Sequence, residues 1–298
     1  MNIGFVYALL AFGIWGIFPL YFQLIAQVSA VEVVLQRSVW SLVFVLGILA
    51  WQGRWAWLWE TLRQPRRVAL FMASALLLSC NWLTYVYAVQ TGQVVEGSLG
   101  YFINPLVNVL LGVVVLRERL KPVQWVAVGL AVCGVLWLTW HAGRLPWIAL
   151  VLAGSFGVYG LIRKTAPLGA LEGLALENLL LAPVVVPALL WWTFFHHGAL
   201  LQDAPGQPGL TFWLLLTGPL TALPLLCFAA AARRLPLATL GMVQYSSPSL
   251  QLLLGVWVLH EHFDMQRLLG FVLIWSALLL LSVNALRQHR LTAPPATA

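Results

Sequence analysis

The chain has 298 residues, of which 61% are hydrophobic and only 8% charged, and its formal net charge is +7. An ordinary soluble domain is roughly 25% charged, so a soluble fold is excluded: lipid must be the solvent for this much apolar surface. Cys80, Cys133 and Cys227 lie inside apolar runs without metal-type spacing, which excludes a disulfide framework and suits small packing residues.

Ten apolar runs follow one another, each of about 18–22 residues and able to cross a hydrocarbon core of roughly 30 Å. In chain order they cover Ile3–Leu24, Val34–Trp51, Val68–Val89, Val94–Leu116, Pro122–Trp140, Trp147–Ile162, Gly173–Phe195, Leu210–Ala230, Pro236–Leu259 and Met265–Leu286. The sixth, with Gly154, Gly157 and Gly160, is the shortest. The first starts at once, without a basic leader, and is too long for a signal's apolar core, so no cleavable peptide is expected. Connections are short apart from Gln52–Arg67 and His196–Gly209, and residues 291–298 read as a disordered tail. The expected fold is an all-α integral membrane protein of ten transmembrane helices, a single membrane domain over residues 1–298.

The fourth and ninth runs are copies of one another. Pro105-Leu-Val-Asn-Val-Leu-Leu-Gly-Val-Val-Val-Leu-Arg-Glu-Arg-Leu120 and Pro248-Ser-Leu-Gln-Leu-Leu-Leu-Gly-Val-Trp-Val-Leu-His-Glu-His-Phe263 agree at eight of sixteen positions without a gap. Phe12-Gly-Ile-Trp-Gly16 likewise matches Phe156-Gly-Val-Tyr-Gly160, and Ser29-Ala-Val-Glu32 resembles Gly169-Ala-Leu-Glu172. Leu99-Gly100 precedes Pro105 much as Leu240-Gly241 precedes Pro248. The unit is five helices, residues 3–140 and then 147–286. Five is odd, so the second copy enters the membrane from the opposite side and the repeats are inverted. Pro105 and Pro248 predict a helix break in each copy, the feature that best marks a transport site between inverted repeats.

Charge placement fixes the orientation and removes the nucleic-acid reading that a basic chain invites. With the N-terminus inside, thirteen of the sixteen Lys and Arg residues fall in inner segments, Arg144 and Arg267 fall outside, and Arg37 lies within the second run. That is the positive-inside pattern, with both termini cytoplasmic.

Polar groups in hydrocarbon must pair, line water or bind something. Tyr101, Asn104 and Asn108 share one helix face, and aligning the prolines places Gln244, Ser247 and Gln251 at the same three positions. These stripes either glue helices together or form paired walls of a substrate cavity, and retention of polarity in both copies favours the walls. Each lies beside a carbonyl that a proline frees, at Tyr101 and at Gln244. Arg37, with Trp40 and Ser41 on its face, either snorkels to the outer interface or binds an anionic group of the substrate or the deep acid Glu177. Glu177 stands opposite Arg37 in repeat coordinates and is the candidate proton-sensitive carboxylate. Asn81 and Tyr85, which share a face with Thr84, together with Trp82 and Trp15 complete the cavity candidates, whereas Trp55, Trp57 and Trp59 suit interfacial anchors. Glu96 suits a helix cap, and Glu118 and Glu261 suit architectural roles. His260-Glu-His262 lacks the spacing of a metal motif, so neither metal nor cofactor is expected.

Several strings are familiar. Asn81-Trp82, Glu96-Gly-Ser-Leu-Gly-Tyr-Phe-Ile-Asn-Pro105, Arg233-Arg-Leu-Pro-Leu-Ala-Thr-Leu-Gly241, Gln244-Tyr245, Trp15-Gly16 with Pro19, and Arg37 with Trp40-Ser41 resemble RarD-type proteins of the EamA family, in the drug/metabolite transporter superfamily. The likeness extends from about Ile3 to Asn284. It implies a bacterial inner-membrane protein of ten helices that exports small metabolites or drugs, with a cavity between runs 1–4 and 6–9.

The function expected is a secondary transporter, a permease exporting small amphipathic compounds by alternating access, with proton coupling open. A passive channel or an exchanger without ion coupling is the alternative. An intramembrane enzyme would need converging nucleophiles or metal ligands at membrane depth, and the sequence shows none. Partners are the small-molecule substrate and membrane lipid.

Overall fold

The computed structural model describes residues 3–53, 55–115, 117, 122–142, 145–195, 198–199, 209–235, 243–260 and 263–292. Its elements are helices: α1 (Ile3–Gly16), α2 (Phe18–Gln23), α3 (Ala30–Gln52), α4 (Ala56–Leu62), α5 (Pro65–Gln90) and α6 (Val94–Val114). They continue with α7 (Pro122–Ala142), α8 (Trp147–Thr165), α9 (Ala170–Phe195), α10 (Leu210–Ala232), α11 (Ser246–Trp257) and α12 (Met265–Thr292). Among the described residues six segments are long and apolar enough to cross a membrane: α1 with α2, α3, α5, α8, α9 and α10. Shorter apolar stretches run over Trp125–Trp140 in α7 and Leu268–Ala277 in α12. Large apolar side chains such as Trp51, Val184, Phe195 and Trp140 stand on the surface, as expected where the solvent is lipid.

Local chemistry sets the helix ends. Ser29 caps α3 by accepting from the Glu32 backbone N–H at 3.2 Å, and Gly53 ends it in the left-handed conformation. Pro65 opens α5, where its missing N–H costs nothing. Arg117 and His260 are the non-glycine residues with left-handed backbone among those described, at φ 55° and 54°. They follow α6 and α11 at equivalent positions of the aligned copies.

The structure departs from these expectations in places. α6 runs unbroken through Pro105, so the proline there removes one hydrogen bond without ending the helix. Pro248 lies in the first turn of α11, which starts at Ser246 directly after the turn residue Tyr245, so a helix start does fall beside this proline, and residues 236–242 before it lie outside the described set. The interruption the sequence reading missed is in the first run, where α1 gives way to α2 around Ile17, just before Pro19. The long Gln52–Arg67 connection contains α4, and α12 continues to Thr292, two residues into the expected tail.

α6 packs along α8, α12 along α7, α10 along α3 and α1, and α9 along α3, while α5 meets α8 and α9 and α11 meets α6 and α1. Small residues permit the tightest crossings. A Cβ on Gly218 of α10 would lie 2.3 Å from the Trp40 carbonyl carbon, and one on Gly134 of α7 would lie 2.9 Å from the Gly270 carbonyl oxygen. At one end of the bundle Arg233 reaches the Leu168 carbonyl, Arg234 stacks on Tyr7, and Trp57 and Phe71 pack beside Leu168. At the other end Gln90 donates to the Val28 carbonyl and the Ala199 backbone N–H donates to Glu32 at 2.8 Å.

Candidate functional site

A cavity of about 520 Å³, its open mouth included, lies beside the α1–α2 junction. Phe12 and Trp15 of α1 and Phe18 of α2 form one wall. Arg37 of α3, Asn81, Trp82 and Tyr85 of α5 and Tyr101 of α6 form the next. Phe156 of α8, Leu225 of α10, and Gln244, Ser247, Pro248 and Gln251 at the start of and along α11 close it.

The aromatic wall is built from edge contacts. Trp15 meets Phe156 at 5.9 Å and an interplanar angle of 89°, and Phe12 meets Phe228 at 6.0 Å and 78°. Such geometry sets the positive ring edge against a negative face. The polar wall is tied to the backbone. Gln251 Nε2 donates to the Trp15 carbonyl at 2.9 Å, and in a regular helix that carbonyl would have bonded the N–H that Pro19 lacks. Asn81 Nδ2 donates to the Leu152 carbonyl at 3.0 Å and to Ser155 Oγ at 2.9 Å, while the Tyr101 hydroxyl donates to Asn81 Oδ1 at 3.2 Å. One asparagine thereby joins α5, α6 and α8, with both amide protons engaged.

Arg37 is the charged side chain of the lining, and it is 3% exposed. Its Nε donates to Thr221 Oγ1 at 3.0 Å, and its guanidinium carbon lies 4.6 Å from the Trp82 ring centroid, with Phe22 at 5.4 Å and Phe18 at 5.8 Å. Among the described residues Nη1 has no hydrogen-bond partner. A charge deep in the bilayer costs about 2.5–3.5 kcal/mol on insertion scales. Cation–π contacts each return about 0.5–2 kcal/mol, so the rings offset the cost without supplying a counter-charge. The snorkelling alternative does not hold, because the head group stays inside the bundle.

The structure brings Trp15, Arg37, Asn81, Trp82, Tyr85, Tyr101, Gln244, Ser247 and Gln251 onto one cavity. Three other candidates lie elsewhere. Trp40 donates its indole N–H to Gln36 Oε1 at 2.8 Å, and its backbone lies against Gly218 at the α3–α10 crossing. Asn104 is fully buried in α6 but off the lining, one turn beyond Tyr101. Glu177 is not a partner of Arg37: it accepts from Ser74 Oγ at 2.6 Å and pairs with Arg163 at 3.6 Å, with Arg163 also donating to the Ala170 carbonyl at 3.1 Å. Arg163 reaches back across the α8–α9 turn and takes the carboxylate first. The Asn108 side chain lies outside the described set, as do Glu118, Glu261 and His262.

Phe12, Phe18, Phe156 and Leu225 line the cavity although the sequence reading did not select them. A signal existed for two of these, since Phe12 and Phe156 open the repeated Phe-Gly-x-aromatic-Gly strings. Phe18 and Leu225 carry no signal among so many apolar residues. Asn178, which donates to Ser41 Oγ at 3.1 Å across α9 and α3, was legible as a polar residue in an apolar run.

This architecture defines a class: an all-helical, multi-pass membrane protein with a polar and aromatic cavity inside the bundle. The model of the EamA-like transporter family matches residues 2–140. An uncharacterized transporter of Pseudomonas aeruginosa is 48% identical over 293 residues, covering 98% of this chain and 97% of its own length. The protein RarD of Streptomyces exfoliatus is 45% identical over 96% of this chain and 90% of its own, and that of Escherichia coli is 40% identical over 97% of each. A solved crystal structure shares the fold with a TM-score of 0.63 at 16% identity, covering 95% of this chain and 98% of that one. The chain belongs to the EamA-like transporter family, among its RarD-type proteins.

Proposed function

We propose that the protein is a secondary transporter that exports small amphipathic or aromatic metabolites by alternating access, built as ten transmembrane helices in two inverted five-helix repeats. The observation that carries this reading is the cavity itself, lined by α1–α3, α5 and α6 from the first half and by α8, α10 and α11 from the second. Packing supports the inversion. The contact of α1 with α10 has its image in that of α8 with α5, and the contact of α6 with α8 has its image in that of α11 with α1. α3 packs on α9, α6 on α11 and α7 on α12, each helix on its own counterpart. The left-handed residues Arg117 and His260 end equivalent helices. α7 and α12 give no described residue to the lining, which suits a peripheral pair.

In this reading the chain lies in the bacterial inner membrane with both termini cytoplasmic. The arginine-rich end around Arg163 and Arg233 faces the cytoplasm, following the positive-inside rule. The halves exchange conformations around the cavity and open it to one side at a time. The described lining holds no carboxylate, which favours exchange without proton coupling through Glu177. Counterflow in proteoliposomes is the test. A carrier preloaded with cold substrate accumulates labelled substrate transiently, whereas a pore only equilibrates it and an enzyme returns altered product.

A further inference from the structure

The aligned copies place Arg37 and Glu177 at equivalent positions, and each receives a hydroxyl from a corresponding helix: Thr221 of α10 for Arg37 and Ser74 of α5 for Glu177. The two charges are otherwise treated differently. Glu177 has Arg163 at 3.6 Å and lies off the cavity. Arg37 lines the cavity, and among the described residues it forms no ion pair and its Nη1 has no hydrogen-bond partner. Burying a guanidinium without a counter-charge is unfavourable unless something on the transport cycle supplies one. The described lining contains no carboxylate, so it supplies no such counter-charge.

Resting on the transporter reading above, we propose that the substrate is an organic monoanion, a carboxylate carried on an aromatic or apolar body, and that Nη1 of Arg37 donates to its carboxylate oxygen. Charge restricts the head group. The lining offers one cation and no second, so a phosphate dianion would bring an uncompensated charge into a low-dielectric site. It offers no carboxylate to an ammonium group, and an ammonium beside Arg37 is repelled. The walls select the body. Trp82 is occupied by the guanidinium itself, which leaves Phe12, Trp15 and Phe156 for ring-on-edge contact with the substrate. Arg37 thus holds the head group while these aromatic side chains hold the ring.

The test uses full-length protein in detergent and calorimetric titration with three matched series: benzoate, 3-phenylpropionate and indole-3-acetate, each beside its amide and the corresponding amine. At least one carboxylate is expected to bind about tenfold more tightly than its own amide, with the amine weakest. Arg37→Gln is expected to reduce that carboxylate to the affinity of its amide, and Arg37→Lys to restore part of the difference. Binding of an amine or amide as tight as its carboxylate, failure of all three carboxylates to bind, or an unchanged carboxylate preference in Arg37→Gln overturns the proposal. If Arg37→Gln fails to fold, the wild-type series decides alone. Binding and counterflow separate the two readings. Carboxylate binding without counterflow removes the transporter and keeps the anion site, and counterflow of the amine keeps the transporter and removes the anion site.

Discussion

The side-chain amide of Gln251 reaches across from α11 to the backbone carbonyl of Trp15, 2.9 Å away. Pro19 leaves that carbonyl without its helical donor, so a break in one half is mended by a polar residue of the other. The break is local to the first run, yet what stabilises it lies 236 positions on. The joint therefore couples the two halves at the cavity wall and belongs among the contacts that must loosen when they move.

Gln251→Leu leaves the Trp15 carbonyl unsatisfied in a site screened from water. A loss of about 1–3 kcal/mol is expected, read as a lower melting temperature in detergent, together with slower counterflow. Gln251→Asn, one methylene shorter, is expected to recover neither. A melting temperature equal to wild type would show that the bond contributes nothing.

Gly218→Ala places a methyl group 2.3 Å from the Trp40 carbonyl carbon, against rigid backbone. The α3–α10 crossing must then widen, which costs about 1–3 kcal/mol and lengthens the Arg37–Thr221 bond. Gly13→Ala is the control, since nothing lies within 4 Å of its added carbon. Thermal melting of the two variants in parallel checks the contrast, and equal behaviour contradicts the packing described.

Glu177→Gln keeps an acceptor for Ser74 but strands Arg163 as a buried cation. Removal of one partner of a buried pair costs about 3–5 kcal/mol, so the variant is expected to melt early. Exchange measured below its melting temperature should keep the wild-type substrate affinity and the wild-type pH profile, because Glu177 lies off the cavity. A flattened pH profile would instead return Glu177 to the coupling role that its depth suggested.

Topology is open to cysteine labelling once Cys80, Cys133 and Cys227 are replaced. Arg63→Cys and Lys164→Cys are expected to react with an impermeant maleimide from the same face of the membrane, and Thr91→Cys from the other. The described ends of the bundle group these positions that way, and Lys164→Cys reacting from the face of Thr91→Cys would refute the inverted arrangement.

Hydropathy is a property of short segments, so the helices and their lipid environment were determined by the sequence alone, and duplication was visible because Pro105 and Pro248 head matching strings. Capping was equally local, as with Ser29 three residues before Glu32. The azimuth of each helix was not. A helix apolar on all faces carries no stripe to say which side turns inward, so Trp40, Asn104 and Glu177 were as eligible as Trp15 and Tyr101 until neighbours rotated them away. Tertiary structure also decided the partners. Arg37 meets Thr221 across 184 positions, while Arg163 captures Glu177 from across a short turn. A buried charge takes whichever partner packing brings within reach, and that choice is made by the whole bundle together.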